Sequence, residues 1–265
     1  MKWRLRDLIY NNDAVDILDD LSYDLVVTSP PYDNLRTYGN HDDWTFDKFM
    51  KLAEPLARNL NNGGVVMWNV NDATIKGSET GSSYRQALYF MDVCGLRLHD
   101  TMIYHKTFCP FPSGVKSNRY SAHFEFMFIF SKGAPNTANL IADKPNKWAG
   151  TPLSWGKPTN RHTDGELRVT EGRKDKTINE FGVRQNVWTF PTPNLQKHYT
   201  NEHPATMPYE MAKDHILTWS NEGDVVLDPF MGSGTTGLAC KETNREFIGI
   251  EINPDYYKLA GERLV

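Results

Sequence analysis

The chain of 265 residues is poor in cysteine and has no long hydrophobic run, and each deficit closes off a class of protein. Its three cysteines, Cys94, Cys109 and Cys240, lie far apart, and none belongs to a Cys-x-x-Cys pair. That argues against a disulfide framework and points to a reducing compartment. Histidine and cysteine nowhere cluster at metal-ligand spacing, so no metal is expected. No apolar stretch is long enough to cross a bilayer, and the mean hydropathy is −0.56. The opening Met1-Lys2-Trp3-Arg4-Leu5-Arg6 leads into no apolar core, so no signal peptide is expected. An excess of positive charge is lacking too, since the formal net charge is −4. The deficit is uneven, however. Between Lys132 and Thr200, eleven basic residues face six acidic ones, a local +5 that leaves −9 for the rest of the chain. A basic segment in an acidic protein is an electrostatic footprint for a polyanion, although a solvated polar loop reads the same by charge alone.

What is present is an alternation of strands and helices. The length suits one α/β domain with a sizeable insertion better than two equal domains. Strands are expected around Trp3 to Asp7, at Asp24–Val27, Val65–Trp68, Leu96–Tyr104, Phe124–Phe130, Asp224–Leu227 and Phe247–Glu251. Helices are expected near Ala14–Leu21, over Phe46–Asn59, Tyr84–Val93, Tyr209–Trp219, Thr235–Thr243 and Pro254–Leu264. The second of these should stop at Asn61-Asn62-Gly63-Gly64. The aromatic Phe124–Phe130 strand reads as an antiparallel edge element. From Ala134 to about Phe181 the periodicity dissolves into loops and short elements. Strand–helix alternation at both ends implies a parallel sheet.

Two polar turns follow buried strands about 200 residues apart: Thr28-Ser29-Pro30-Pro31-Tyr32, and Asp228-Pro229-Phe230-Met231-Gly232-Ser233-Gly234-Thr235-Thr236. Ligands in open α/β sheets bind beyond the carboxyl ends of such strands, so the two turns can share one crevice. The glycine turn lacks the lysine and spacing of a triphosphate-binding loop and the third glycine of a dinucleotide fingerprint. Alone it is weak, because any tight strand-to-helix connection needs glycine. Glu251 ends the next strand about 20 residues on, where a carboxylate can accept from both ribose hydroxyls. Asp228 can orient the loop or a ligand amine. These parts fit a nucleoside cofactor without pyrophosphate, and S-adenosylmethionine is the obvious candidate. In the other turn the prolines stiffen the backbone. The Ser29 hydroxyl and the Pro30 carbonyl can then both accept from one aromatic amino group, while Tyr32 offers a face for stacking on a base.

Thr28–Tyr32, Asp228–Thr236 and Glu251 together resemble the amino-methylating DNA methyltransferases, which modify cytosine N4 or adenine N6. The catalytic motif comes first and the cofactor motif last, as in that family's circularly permuted beta group. Asn12-Asp13 is similar to the group's cofactor-adenine contact. Arg119–Glu125, leading into Phe126–Lys132, resembles the strand before its recognition insert. His203-Pro204-Ala205-Thr206-Met207-Pro208 is similar to its cofactor motif before the last third. Only about Ala134 to Phe190 has no pattern to match. The resemblance implies a doubly wound, mostly parallel, Rossmann-like sheet with a catalytic half over 1–133, a target-recognition insert over 134–200 and a cofactor-binding half over 201–265. It implies Ser29, Pro30, Pro31 and Tyr32 as catalytic residues. S-adenosylmethionine would be bound by Asp13, His203, Pro204, Thr206, Asp228, Pro229, Phe230, Gly232, Ser233, Gly234, Thr235 and Glu251. The partner it implies is DNA, contacted by Arg119, Arg173, Lys174 and Lys176, in a cytoplasmic, nucleoid-associated enzyme of a bacterium or phage. Whether the chain forms a homodimer or has a partner nuclease stays open, as does the recognition sequence.

An exocyclic amine is a poor nucleophile, because its lone pair is delocalised into the ring. Acceptors at Ser29 and Pro30 favour a pyramidal nitrogen, and transfer then needs positioning and electrostatics but no covalent nucleophile. Cys109-Pro110 reverses the Pro-Cys pair of cytosine-C5 enzymes, so Cys109 is read as structural. The target base must leave the duplex. Serine in the first clamp position goes with cytosine N4 in this family and aspartate with adenine N6, so N4 is the expectation and N6 the alternative. An RNA- or protein-modifying methyltransferase fits less well: in the protein-glutamine group the cofactor motif comes first and there is no basic insert. A silent nucleic-acid-binding relative would have no reason to keep Ser29, Tyr32, both glycines and Glu251 together.

Overall fold

Apolar runs without alternation form the middle of one large sheet. The computed structural model describes residues 8–33, 44–107, 118–152, 159–169, 176–191 and 206–265. Its first half contains β1 (Leu8–Asn11), α1 (Ala14–Ile17) with a 3-10 turn (Leu18–Asp20), β2 (Tyr23–Thr28), α2 (Phe46–Asn59), β3 (Leu60–Val70), a hairpin of β4 (Thr74–Ile75) and β5 (Ser78–Glu79), α3 (Ser82–Asp92), β6 (Arg97–Lys106) and β7 (Phe124–Ser131). Then come β8 (Lys144–Pro145), β9 (Thr159–Arg161), β10 (Leu167–Val169), β11 (Phe181–Gly182), β12 (Val187–Phe190), α4 (Tyr209–Trp219), β13 (Val225–Asp228), α5 (Thr235–Glu242), β14 (Glu246–Glu251) and α6 (Pro254–Leu264). The strand expected around Trp3 to Asp7, and Cys109, lie outside the described residues.

Eight strands pair in the order β1-β14-β13-β2-β3-β7-β6-β12. All adjacent pairs are parallel except those of β7, which runs antiparallel to both β3 and β6. Leu25, Val26 and Val27 of β2 are each fully buried, as are Val66, Met67 and Trp68 of β3. Side chains alternate between the faces of a strand, so both faces of the sheet are covered and it is doubly wound. Trp68 binds Gln86 of α3 at 2.8 Å, and Met127, on β7, meets His215 of α4 at 3.3 Å. Helix starts follow their sequence signals. Thr45 caps α2 by accepting from Lys48 N, and Asn253 caps α6 with Pro254 in its first turn.

Two expectations need correction. The Phe124–Phe130 run is antiparallel but not at an edge, since β7 lies between β3 and β6. Its aromatic side chains fit that interior place: Phe130 is fully buried and Phe128 nearly so. Helix α2 does stop before Asn61-Asn62-Gly63-Gly64, at Asn59, but the next strand does not wait for Val65: β3 begins at Leu60 and takes in that stretch. Gly63, at φ +77°, donates to Lys132 O at 2.7 Å, and Lys132 N donates to Gly64 O at 3.0 Å. The side chain of Asn136 lies where a Cβ on Gly63 would sit. The glycines therefore admit a close backbone approach inside a strand.

The chain divides into a unit of Met1–Asn139 with Asn186–Val265 and a second unit of Leu140–Gln185. The second unit is narrower than the 134–200 insert expected from sequence, because β12 pairs with β6 in the large sheet. Within the second unit β8 pairs with β11, β9 with β10, and Arg184 binds Asp143 at 2.5 Å.

Candidate active site

The two motif-bearing strands, 200 residues apart in sequence, are parallel neighbours, with Leu227 opposite Val26. Their carboxyl ends therefore coincide. Thr28 Oγ1, at the end of β2, donates to Asp228 Oδ1 at 2.7 Å, while Thr236 Oγ1, in the first turn of α5, donates to Asp228 Oδ2 at 2.7 Å. Phe230 N adds a bond to Oδ1 at 3.1 Å. Burial pushes the Asp228 carboxyl up, and the bonds from Thr236, Thr28 and Phe230 oppose that rise. Of the two roles open to Asp228, the geometry favours orienting the loop: it ties the clamp strand to the glycine turn.

The glycine turn folds back on β14. Gly232 takes φ +52° and Gly234 φ +80°, left-handed conformations that favour glycine. Gly232 N donates to Glu251 Oε2 at 2.8 Å and Asn253 N to Oε1 at 2.9 Å. A carboxylate offers about four acceptor positions, so two N–H bonds leave capacity for hydroxyl donors. Burial pushes Glu251 above the usual carboxylate range, against the pull of those backbone bonds. Asn11 of β1 pairs with Glu251 of β14, and Asn12 N donates to Glu251 O at 3.2 Å. Asp13 follows as the exposed N-cap of α1, accepting from Val15 N at 3.1 Å. Pro229 and Ser233 are buried, and Phe230 stands edge-on to Trp44 with ring centroids 5.2 Å apart. Thr235 Oγ1 and Thr206 Oγ1 are buried atoms without a hydrogen-bonding partner among the described residues. A glycine cradle, an acidic acceptor at the next strand end and the unpaired Thr235 hydroxyl at the start of α5 suit a nucleoside with ribose hydroxyls and a charged amino-acid tail. His203 and Pro204 lie outside the described residues.

On the clamp side, Pro30 is buried while Ser29, Pro31 and Tyr32 are half-buried. Ser29 Oγ lies 3.0 Å from Tyr32 Oη, which donates to Glu125 Oε2 at 2.8 Å. Asn69 Nδ2 donates both to Tyr32 Oη and, at 2.6 Å, to Glu125 Oε2. Lys106 Nζ holds the other Glu125 oxygen at 2.6 Å. Burial, together with the charge of Glu125, raises the Tyr32 phenol well above its ordinary value and keeps it protonated. The chain leaves the clamp through Asp33, which accepts from Thr80 Oγ1 at 2.5 Å and Ser82 Oγ at 2.6 Å. Asn69 and Lys106 were not singled out from the sequence, and Glu125 entered only as the last residue of the Arg119–Glu125 segment, without a role of its own. They come from β3, β6 and β7, and only the register Asn69↔Met127 and Tyr104↔Glu125 brings them together.

Of the expected DNA contacts, Arg119 and Lys176 are among the described residues. Exposed Arg119 donates to Gly77 O at 2.5 Å and pairs with Glu79 at 3.5 Å, on the β4–β5 hairpin. Lys176 is exposed in the second unit, and Arg173 and Lys174 lie outside the described residues. Among the described residues no group of acidic, histidine or cysteine side chains could hold a metal ion, and no helix is long and apolar enough to cross a membrane.

A family profile described as DNA methylase, of the N6/N4 class, matches residues 23–262. The orphan methyltransferase M.BamHII of Bacillus amyloliquefaciens is 48% identical over 255 residues, covering 93% of this chain and 90% of its own. Among solved structures, the PvuII DNA methyltransferase (cytosine-N4-specific) superposes with a TM-score of 0.68 at 18% identity, covering 98% of this chain and 86% of its own. The complex of M1.HpyAVI with S-adenosylmethionine superposes with a TM-score of 0.59 at 26% identity, over 97% of this chain and 98% of its own.

Proposed function

The chain belongs to the N6/N4 DNA methylase family, and from that premise we propose that it transfers a methyl group from S-adenosylmethionine to the exocyclic amine of a flipped base in DNA, namely cytosine N4. The observation that carries the reading is the junction at Asp228. It holds the stiff Ser29–Tyr32 clamp and the glycine turn at the same end of adjacent strands. When bound, S-adenosylmethionine supplies an electrophilic methyl group on a sulfonium centre. Gly232, Gly234 and Glu251 hold the nucleoside, with Glu251 accepting from the ribose hydroxyls. Ser29 Oγ and the Pro30 carbonyl accept the two hydrogens of the amine and take up the positive charge that grows on nitrogen. Tyr32, its hydroxyl anchored by Glu125 and Asn69, presents a fixed ring for stacking against the base. Alignment replaces covalent catalysis here.

The choice of cytosine rests on Ser29, a neutral hydroxyl where an adenine-N6 enzyme would carry aspartate. Adenine N6 is the alternative. The basic residues of 132–200 supply phosphate and base-edge contacts in this reading, with Arg119 adding a contact outside the second unit. The test is transfer of labelled methyl groups to duplex DNA, RNA and protein, followed by digestion to nucleosides and amino acids. Label in N4-methylcytosine supports the reading, label in N6-methyladenine supports the alternative base, and label confined to RNA or protein overturns the DNA substrate.

A further inference from the structure

We propose that Glu125 is a positioning residue for methyl transfer: acting through the Tyr32 hydroxyl, it commits the Ser29 proton to Tyr32 and leaves Ser29 Oγ an obligatory acceptor. The inference rests on the reading of Ser29 as the acceptor of the target amine.

Tyr32 Oη has one hydrogen and three polar neighbours: Glu125 Oε2 at 2.8 Å, Ser29 Oγ at 3.0 Å and Asn69 Nδ2. The Glu125 carboxylate has no hydrogen to give, and its other oxygen is held by the Lys106 ammonium at 2.6 Å. A 2.8 Å contact between it and Tyr32 is a hydrogen bond only if Tyr32 donates. Asn69 cannot relieve Tyr32 of that duty. Its amide nitrogen faces two oxygens, Tyr32 Oη and Glu125 Oε2, and the flipped amide would set its carbonyl against the carboxylate. The Tyr32 oxygen is thus left with lone pairs alone for Ser29, so in that contact Ser29 must be the donor.

A serine hydroxyl has one hydrogen and two lone pairs. With the hydrogen spent on Tyr32, both lone pairs are free for a donor, and the target amine is such a donor. A free serine rotor would spend part of its time pointing its hydrogen at the amine, the orientation that opposes reaction. The chain Lys106–Glu125–Tyr32–Ser29 removes that orientation. It also brings a carboxylate to bear, at one remove, on the positive charge that grows on the nitrogen. A direct carboxylate in the clamp would need no such chain, whereas the neutral serine does.

The experiment measures single-turnover methyl transfer by Tyr32→Phe, Glu125→Gln, the double variant and Ser29→Ala, with cofactor and DNA affinities and thermal melting recorded for each. Tyr32→Phe keeps the ring and removes only the hydroxyl. It and Glu125→Gln should each slow transfer by about 10- to 100-fold, the range of one charge-assisted hydrogen bond, with both affinities unchanged. The double variant should be no slower than the slower single, because either change breaks the same chain, whereas independent structural effects would multiply. Tyr32→Phe transferring at the wild-type rate, or multiplying losses in the double variant, overturns the proposal. If Glu125→Gln does not fold, the rate of Tyr32→Phe decides alone. An inactive Ser29→Ala beside a fully active Tyr32→Phe sinks only the chain of hydrogen bonds. A fully active Ser29→Ala takes the clamp reading down, and this inference with it.

Discussion

Glu251 and Tyr32 are the residues through which the two halves of the site can be separated by experiment. Glu251→Ala leaves the ribose hydroxyls without their acceptor and should weaken cofactor binding by about 1.5–3 kcal/mol in calorimetry; unchanged affinity in a folded variant would remove the ribose role. The raised titration of Glu251 adds a pH signature. Its ionised form is the better acceptor, so affinity should be full above that raised value and fall as acidification protonates the group, beginning at higher pH than for an ordinary glutamate. Glu251→Gln should bind more weakly and without this dependence, and a wild-type affinity flat through the acid range would contradict it. Tyr32→Ala removes the base–aromatic stack, worth roughly 1–3 kcal/mol, together with the hydroxyl that orients Ser29, so it should cost turnover more than Tyr32→Phe does, with cofactor affinity intact; parallel loss of both would reassign Tyr32 to the cofactor side. Ser29, Tyr32 and Glu251 were legible in the sequence because the first two sit in a short motif just after β2 and Glu251 ends β14. Asn69, Lys106 and Glu125 were not, because what unites them is the pairing of β3, β6 and β7 and no spacing along the chain.

Among the elements, the turn from β13 into α5 leaves little room for a side chain. Gly234 sits at φ +80°, and a Cβ there would come within 3.2 Å of Ala260 Cβ. Gly77, at φ +79° in the β4–β5 hairpin, has nothing within 4 Å of the same position. Gly77→Ala therefore isolates the backbone cost, about 1–2 kcal/mol for a left-handed residue with a side chain. Gly234→Ala should exceed it in urea denaturation and should also weaken cofactor binding. Equal losses would show that the turn has room to spare. Periodicity placed most helices and strands within a residue or two, since α2, α4 and α6 carry apolar spacing, and α2 and α6 side-chain caps as well, that local chemistry decides. It misjudged the start of β3 and the place of β7 for one reason: a glycine pair reads as a loop, and an aromatic strand as an edge, until the neighbouring strand is known.

For the whole molecule, the sheet joins motifs 200 residues apart, while the loss of periodicity after Ala134 marked a separate unit whose core span is Leu140–Gln185. β12, four residues long and too short to announce itself in the sequence, pairs with β6 in the large sheet. If the basic insert grips phosphates, neutralising Arg173, Lys174 and Lys176 together should lower DNA affinity and flatten its salt dependence by up to about 0.9 log units per log salt for each lost contact, with cofactor affinity unchanged. An unaltered slope would mean that these three residues do not touch DNA. The most direct test of the central claim is long-read modification sequencing of DNA from cells expressing the wild-type protein or Ser29→Ala. The account predicts N4-methylcytosine in one sequence context with the wild type and none with Ser29→Ala; N6-methyladenine in its place would contradict the choice of base, and no modified base at all would contradict the methyl-transfer reading itself.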